Sequence, residues 1–403
     1  PSISAIVDYA SRIFTTQVTI DSTRTVHQSA VWTFLPSGSV TVDTGLTLTL
    51  QNVRPDWPPR QLFYGAGTVL LQNPSSDIGT VNPRWFGVHP DATAANNYSA
   101  IDRTMAAIAG TASVEAQWRI YFPGGGTYNF DAATVGSLKR VIGIRNYTSV
   151  DIIGDGIGST ILSVNYNTTG ATNFISSHDT DCPTPAALCR GPRSVSHLTL
   201  QMLNSLVGTG HSAIAIYDPY AQITNVYFDS WFSLGIVVNG DTDTDNGRYI
   251  IANNTCRDVK LYCVRVINAS KGIINANRFD NSGGSDGAVT LQGASHTTVV
   301  TNNVFNNTAG MQIESTTSGT PNFSTISHNT FTAGNRGIYY DAGGTLLEHL
   351  TIIGNVIDSP SAVAPFAGIL LYSTQNSVIA NNTIYNSGGH GIHLINGPGA
   401  TPG

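Results

Sequence analysis

Ile251-Ala252-Asn253-Asn254-Thr255-Cys256, Ile274-Asn275-Ala276-Asn277-Arg278-Phe279 and Val300-Thr301-Asn302-Asn303-Val304-Phe305 are three copies of one pattern. Ile326-Ser327-His328-Asn329-Thr330-Phe331, Ile353-Gly354-Asn355-Val356-Ile357 and Ile379-Ala380-Asn381-Asn382-Thr383-Ile384 continue it. The aligned asparagines, Asn254, Asn277, Asn303, Asn329, Asn355 and Asn382, recur at steps of 23, 26, 26, 26 and 27 residues. A period of about 20–50 residues marks a solenoid, a propeller or an array. A solenoid grows along one axis without a larger core, so the length of 403 residues does not by itself demand several globular domains.

Each repeat holds three short strands. In the last one Val378-Ile379-Ala380 is followed by Asn381-Asn382, then Thr383-Ile384-Tyr385, a loop, and Gly391-Ile392-His393-Leu394. The second asparagine sits at the sharp turn, where its amide can bond backbone groups that the turn leaves unpaired. We therefore expect a structural ladder of stacked asparagines, not a catalytic row. The Asn-x-Ser/Thr sequons at Asn253 and Asn381 are by-products of that ladder.

Composition agrees. Charged residues make up only 11 % of the chain, and the abundant Gly, Ser, Thr and Asn suit strands and tight turns. The net charge of −6 and the lack of any Lys/Arg cluster argue against nucleic-acid binding. No apolar run reaches the roughly 18 residues needed to span a membrane. Pro1 opens the chain without a charged leader or apolar core, so a signal peptide is expected to be gone or never present. The four cysteines form two equally spaced pairs, Cys182/Cys189 and Cys256/Cys263, that match no zinc pattern. Two readings stay open: disulfides, which would point to an oxidising compartment, or buried thiols.

At the N-terminal end, Ile3, Ile6, Val7, Ala10, Ile13 and Phe14 share one helical face, so residues 2–14 are expected to cap the solenoid. Residues 26–80 alternate as short strands. Then come Asn82-Pro83-Arg84-Trp85-Phe86-Gly87, the His89-Pro90-Asp91-Ala92-Thr93-Ala94-Ala95 turn, a helix carrying Ile101, Met105 and Ile108, and Ile120-Tyr121-Phe122-Pro123-Gly124-Gly125-Gly126-Thr127-Tyr128. This succession resembles the opening of the pectate-lyase-like β-helices, a superfamily of phage tailspikes and secreted polysaccharide-degrading enzymes. It departs from them at the usual Gly-Asp-Gly-x-x-Asp-Asp turn. The resemblance spans residues 80–400. It implies an all-β, right-handed, single-stranded parallel β-helix over residues 81–403, preceded by a cap and first strands over 1–80. It also implies an extracellular setting, secreted or on a virion, and a polysaccharide partner.

Aligning the third strands on Gly235, Gly287, Gly310, Gly337, Gly368 and Gly391 puts Val237, Val289, Gln312, Tyr339, Leu370 and His393 in one outward row. A second outward row holds Asn239, Leu291, Glu314, Asp341, Tyr372 and Ile395, and neighbouring coils add Tyr217, Asp218 and Arg265. Adjacent rungs lie about 4.7–4.9 Å apart, so Glu314 and Asp341 should be close. Carboxylates about 5–5.5 Å apart suit a retaining glycosidase and about 6.5–9.5 Å an inverting one. Like charges at such distances raise one pKa and so create a general acid. Glu314 and Asp341 are the expected catalytic pair. Tyr217, Asp218, Arg265, Gln312, Tyr339, Tyr372 and His393 are the expected substrate contacts. The plain alternatives are a solvated surface pair or a cation site that neutralises the two acids.

Asp241, Asp243 and Asp245 alternate as in a calcium loop, but the terminal Glu is missing and Gly247 falls one place late. A calcium ion here would favour a lyase, which needs a base and a cation beside a uronate carboxylate. Arg248, Arg265 and Lys271 are the nearby basic groups. His178-Asp179-Thr180-Asp181-Cys182 is a further loop candidate. The leading expectation is a polysaccharide-degrading enzyme, hydrolase before lyase; the other is a non-catalytic fibre or glycan-binding adhesin. Resemblance to tailspikes, with no C-terminal cap after the last rung, implies a homotrimer.

Overall fold

Parallel pairing follows from the repeat, because equivalent residues one coil apart lie side by side. Ile251 pairs with Ile274, Ile274 with Val300, Val300 with Ile326, Ile326 with Ile352 and Ile352 with Ile379. The computed structural model describes residues 11–395 except 52, 54–55, 73–77, 110–115, 132–138, 145–147, 166–171, 177–191, 204–210, 217–219, 230–232, 241–247, 284–286, 315–318, 335, 342–345 and 359–366. The chain divides into two units, residues 1–168 with 175–198, and residues 169–174 with 199–403.

In the first unit, parallel stacking already begins at Arg12–Phe14, which pairs with Trp32–Phe34. Gln17–Ile20 stacks on Ser39–Val42 and Arg24–Val26 on Thr47–Leu50. Most of the expected capping helix falls on residues 1–10, outside the described residues, and its last turn is a strand instead. Alternation explains this. Phe14 turns inward, its ring 4.7 Å from that of Trp32 and 4.9 Å from that of Phe34, while Ile13 points out at 69 % exposure. Packing of one aromatic outweighs a weak helical preference over three residues.

The helix Ala94–Ala107 does form, and it buries Ile101 and Met105, with Ile108 at its C-cap. Thr93 caps it by accepting the Asn96 N–H at 3.3 Å. Asn97, fully buried, accepts from the His89 N–H and donates to the carbonyls of His89 and Asn129. The next strand, Gly126–Asp131, is held by Arg84, whose Nε and Nη2 donate to the Tyr128 hydroxyl at 3.1 and 2.8 Å.

In the second unit each coil repeats strand, sharp turn, strand, loop, strand. The residue before each ladder asparagine is left-handed: Asn253, Ala276, Asn302, His328, Gly354 and Asn381 have φ of 57, 53, 55, 54, 68 and 53°. That conformation bends the chain between the first and second strands and leaves turn carbonyls for the ladder. Inside, Phe228, Cys256, Phe279, Phe305, Phe331 and Ile357 fall in one column. The rings of Phe305 and Phe331 stack at 4.4 Å. Full burial of each such side chain contributes about 1.5–3 kcal/mol. Cys256 interrupts the column and forms a disulfide with Cys263 of the same coil, with Cα atoms 6.1 Å apart. Closing so short a loop restricts the unfolded chain by about 2 kcal/mol. The other pair, Cys182 and Cys189, lies outside the described residues.

Candidate active site on the third-strand face

The candidate site lies on seven stacked strands of a longer sheet: Leu234–Asn239, Tyr262–Ile267, Val289–Gln292, Met311–Glu314, Ile338–Asp341, Ala367–Tyr372 and His390–Ile395. Their register fixes two outward rows. The first runs Val237, Arg265, Thr290, Gln312, Tyr339, Leu370 and His393. The second runs Asn239, Ile267, Gln292, Glu314 and Asp341, with Tyr372 paired to Ile395 at its far end.

One coil corrects the sequence alignment. Gly287 is not the equivalent of Gly310; Ala288 is, and its N–H donates to the Gly310 carbonyl at 2.7 Å. Gly287, with φ of 101°, belongs to the turn before the strand. A one-residue slip exchanges the two faces of a strand. Val289 and Leu291 are therefore buried beside Met311 and Ile313, and Thr290 and Gln292 take the outward places. The fully buried Thr290, with Leu370 and Val237 almost so, shows that the first row is a floor and not an open surface.

The polar groups on this face contact one another across rungs. Arg265 donates from Nε and Nη2 to the Gln292 Oε1 at 3.1 and 2.7 Å, and its guanidinium lies 5.1 Å from the Tyr262 ring centre. Arg336 lies over Tyr339 at 4.4 Å, an arrangement that attracts through the ring quadrupole. Tyr339 and Tyr372 meet edge to face, 6.4 Å apart and 86° inclined. His393 lies beside His390, with ring centres 4.5 Å apart. Gln312 Oε1 is buried with no hydrogen-bond partner among the described residues, a state that costs free energy unless a donor arrives.

Glu314 and Asp341 are direct partners in register. The Asp341 side chain lies outside the described residues. The rest of the expected set divides plainly. Arg265, Gln312, Tyr339, Tyr372 and His393 fall on this face. Tyr217, Asp218, Asp241, Asp243 and Asp245 lie outside the described residues, as does the His178 loop. Among the described residues, no three His, Cys, Asp or Glu side chains converge as a metal cluster. Gln292 and Arg336 were not anticipated. Gln292 was hidden by the misaligned glycine, although the alternation Ala288-Val289-Thr290-Leu291-Gln292 carries the right phase. Arg336 sits just before the Gly337 that opens its strand.

On the face formed by the second strands the contacts across and along the rungs are mostly ion pairs. Arg257 pairs with Asp229 at 2.6 Å, Arg278 with Asp280 at 2.6 Å, and Asn306 donates to Asp280 at 3.2 Å.

Residues 212–366 and 322–401 match the family described as right handed beta helix region. The chain is a right-handed parallel β-helix. This β-helix is similar to the mannuronan C-5 epimerase AlgE4 A-module of Azotobacter vinelandii, at 14 % identity and a TM-score of 0.38, over 79 % of this chain and 97 % of that one. It is similar to the surface adhesin PfbA of Streptococcus pneumoniae, at 11 % identity and 0.37, over 78 % and 100 %. The Dettilon tailspike protein is a third, at 13 % and 0.37, over 78 % and 68 %. No curated protein matches the chain in sequence. A shared fold does not fix a chemistry.

Proposed function

We propose that the third-strand face binds a polysaccharide and hydrolyses it, with Glu314 and Asp341 as the acid pair. The observation that carries this reading is their pairing on successive rungs of an outward row. Hydrolysis of a glycosidic bond needs one carboxyl to protonate the leaving oxygen and a second to attack or to activate water. A rung spacing of about 4.8 Å is compatible with the carboxyl separations that such chemistry uses. Gln292 and Gln312 supply amides for sugar hydroxyls, and Gln312 Oε1 awaits a donor. Arg336 already covers Tyr339, so Tyr372 is the ring we assign to a sugar face. The setting that goes with this reading is extracellular, and the assembly is a homotrimer, which light scattering at micromolar concentration would test.

The experiment is incubation with neutral and acidic polysaccharides while reducing ends and ultraviolet absorbance are followed together. Hydrolysis releases reducing ends without new absorbance, and Glu314→Gln abolishes the release while glycan binding persists. New absorbance from an unsaturated uronate would replace hydrolysis by elimination. Binding without turnover in the unaltered protein would leave a glycan-binding adhesin.

A further inference from the structure

A second column of left-handed residues lines the corner that leads from the third strand to the next coil. Lys271, Thr297, Phe323, His349 and Asn376 have φ of 58, 57, 56, 57 and 51°. Each stands two residues before a first strand. Successive members are tied by equivalent bonds, the N–H groups of Thr297, Phe323 and His349 donating to the carbonyls of Asn322, Glu348 and Gln375. Asn376 shows which residue type the conformation tolerates, and asparagine fills three of the six corresponding places in the ladder turns. A phenylalanine there is an outlier. The core gains nothing in return, because Phe323 is 58 % exposed.

What the position does supply is a flat ring held outward. Phe323 and the exposed His349 stack with centres 4.6 Å apart and planes 8° apart, one rung above the other. On the opposite side of Phe323 the next rung carries only Thr297. The following rung, about 10 Å from Phe323 at the usual strand spacing, carries Lys271. Beside Phe323 runs a polar row. Asn322 accepts the Glu348 N–H at 2.9 Å, the Asn322 N–H donates to His296 Nδ1 at 3.2 Å, and the Gln375 amide donates to the Glu348 carboxylate.

We infer that this corner is a second glycan-binding site, in which Phe323, backed by His349, takes the face of one pyranose ring. Asn322 and Glu348 hydrogen-bond the hydroxyls at its edge. A rigid, pre-stacked aromatic with polar groups at its rim gives contact area at little cost in side-chain order. The corner requires the left-handed backbone but not a phenylalanine, and a bulky ring kept at such a position without use to the core points to a role in contact. The site is independent of the acid pair and does not rest on hydrolysis.

Phe323→Asn separates binding from folding. Asparagine suits the left-handed backbone, so the melting temperature should hold or rise. Binding to neutral and uronate-bearing oligosaccharides, measured by calorimetry, should weaken about tenfold for the members recognised at this corner. In the unaltered protein those members should shift the His349 ring signals in NMR, and Glu314→Gln should not remove the shift. A lower melting temperature in Phe323→Asn would make the ring a stability element and overturn the inference. So would His349 signals that no oligosaccharide moves. Loss of turnover in Glu314→Gln with the His349 shift intact would leave both readings standing, and failure of one leaves the other measurable.

Discussion

Asn303 and Asn329 are 26 residues apart in sequence and 3.0 Å apart through Nδ2 and Oδ1. The same Oδ1 also accepts the Asn303 backbone N–H at 2.9 Å, and Asn303 Nδ2 reaches back to the Ile274 carbonyl at 2.9 Å. Each rung is therefore tied to the one before and the one after by a single side chain. The chain of amides runs without interruption from Asn254 to Asn382.

Asn303→Ala should be among the most damaging substitutions in the second unit. It removes the acceptor for Asn277 N–H and Nδ2, and the donor for the carbonyls of Ile274 and Thr301. Unpartnered buried groups cost about 1–3 kcal/mol each, so a loss of about 3 kcal/mol is expected. Urea unfolding should show a lower midpoint with an unchanged slope. A loss below about 1 kcal/mol would mean the ladder is ornamental.

Gly272 makes room for a tyrosine. A Cβ on Gly272 would stand 1.8 Å from the Tyr249 Cζ. That ring is fully buried, its hydroxyl is 2.9 Å from the Thr298 hydroxyl, and burial holds its ionisation well above the ordinary tyrosine range. Gly272→Ala should destabilise by about 1–3 kcal/mol through overpacking. Tyr249→Leu should be milder in the Gly272→Ala background than alone. A double-mutant cycle with no coupling would contradict the contact.

Tyr121 should titrate late. Its hydroxyl donates to Asp155 at 2.5 Å, and that bond, then burial, then the carboxylate's charge push its pKa up to about 12. The protonated form is favoured in the folded state. Its contribution is therefore complete below the ordinary value of 10.0 and is lost as pH rises through about 12. Ultraviolet titration of tyrosinate should find this late group, and Asp155→Asn should bring it back toward its ordinary range. An unchanged profile in Asp155→Asn would assign the shift elsewhere.

His296 should stay neutral in mild acid. Burial lowers its pKa from 6.5, and its Nδ1 accepts the Asn322 N–H at 3.2 Å, a role open only to the unprotonated nitrogen. The folded value is depressed, so the contribution is present above pH 6.5 and is lost as pH falls through the folded value. NMR titration of the ring proton should give a midpoint below 6.5. A midpoint above it would mean the ring is solvated or paired with an acid.

Much of the architecture was legible because it is periodic and local. The 26-residue step, the turn asparagines, the inward columns and the outward places of Arg265, Gln312, Glu314, Tyr339 and Tyr372 can be read from neighbours in the chain. Each follows from strand alternation and from the side-chain chemistry that a sharp turn demands. The coil of Gly287 resisted, because glycine marks both a turn and a close approach, and only pairing across rungs tells them apart.

Sequence alone thus determined the repeat, most of the strand faces and the row on which Glu314 and Asp341 are register neighbours. Tertiary structure decided the rest. It set Gln292 outward, joined Cys256 to Cys263, laid Arg336 over Tyr339, made Arg12–Phe14 a strand and stacked Phe323 on His349. One physical reason is common to the outward turn of Gln292, the Arg12–Phe14 strand and the stack of Phe323 on His349. Side-chain periodicity is written along one coil, whereas register and ring contacts are made between segments distant in sequence, where one residue of slip or one buried ring outweighs any local preference.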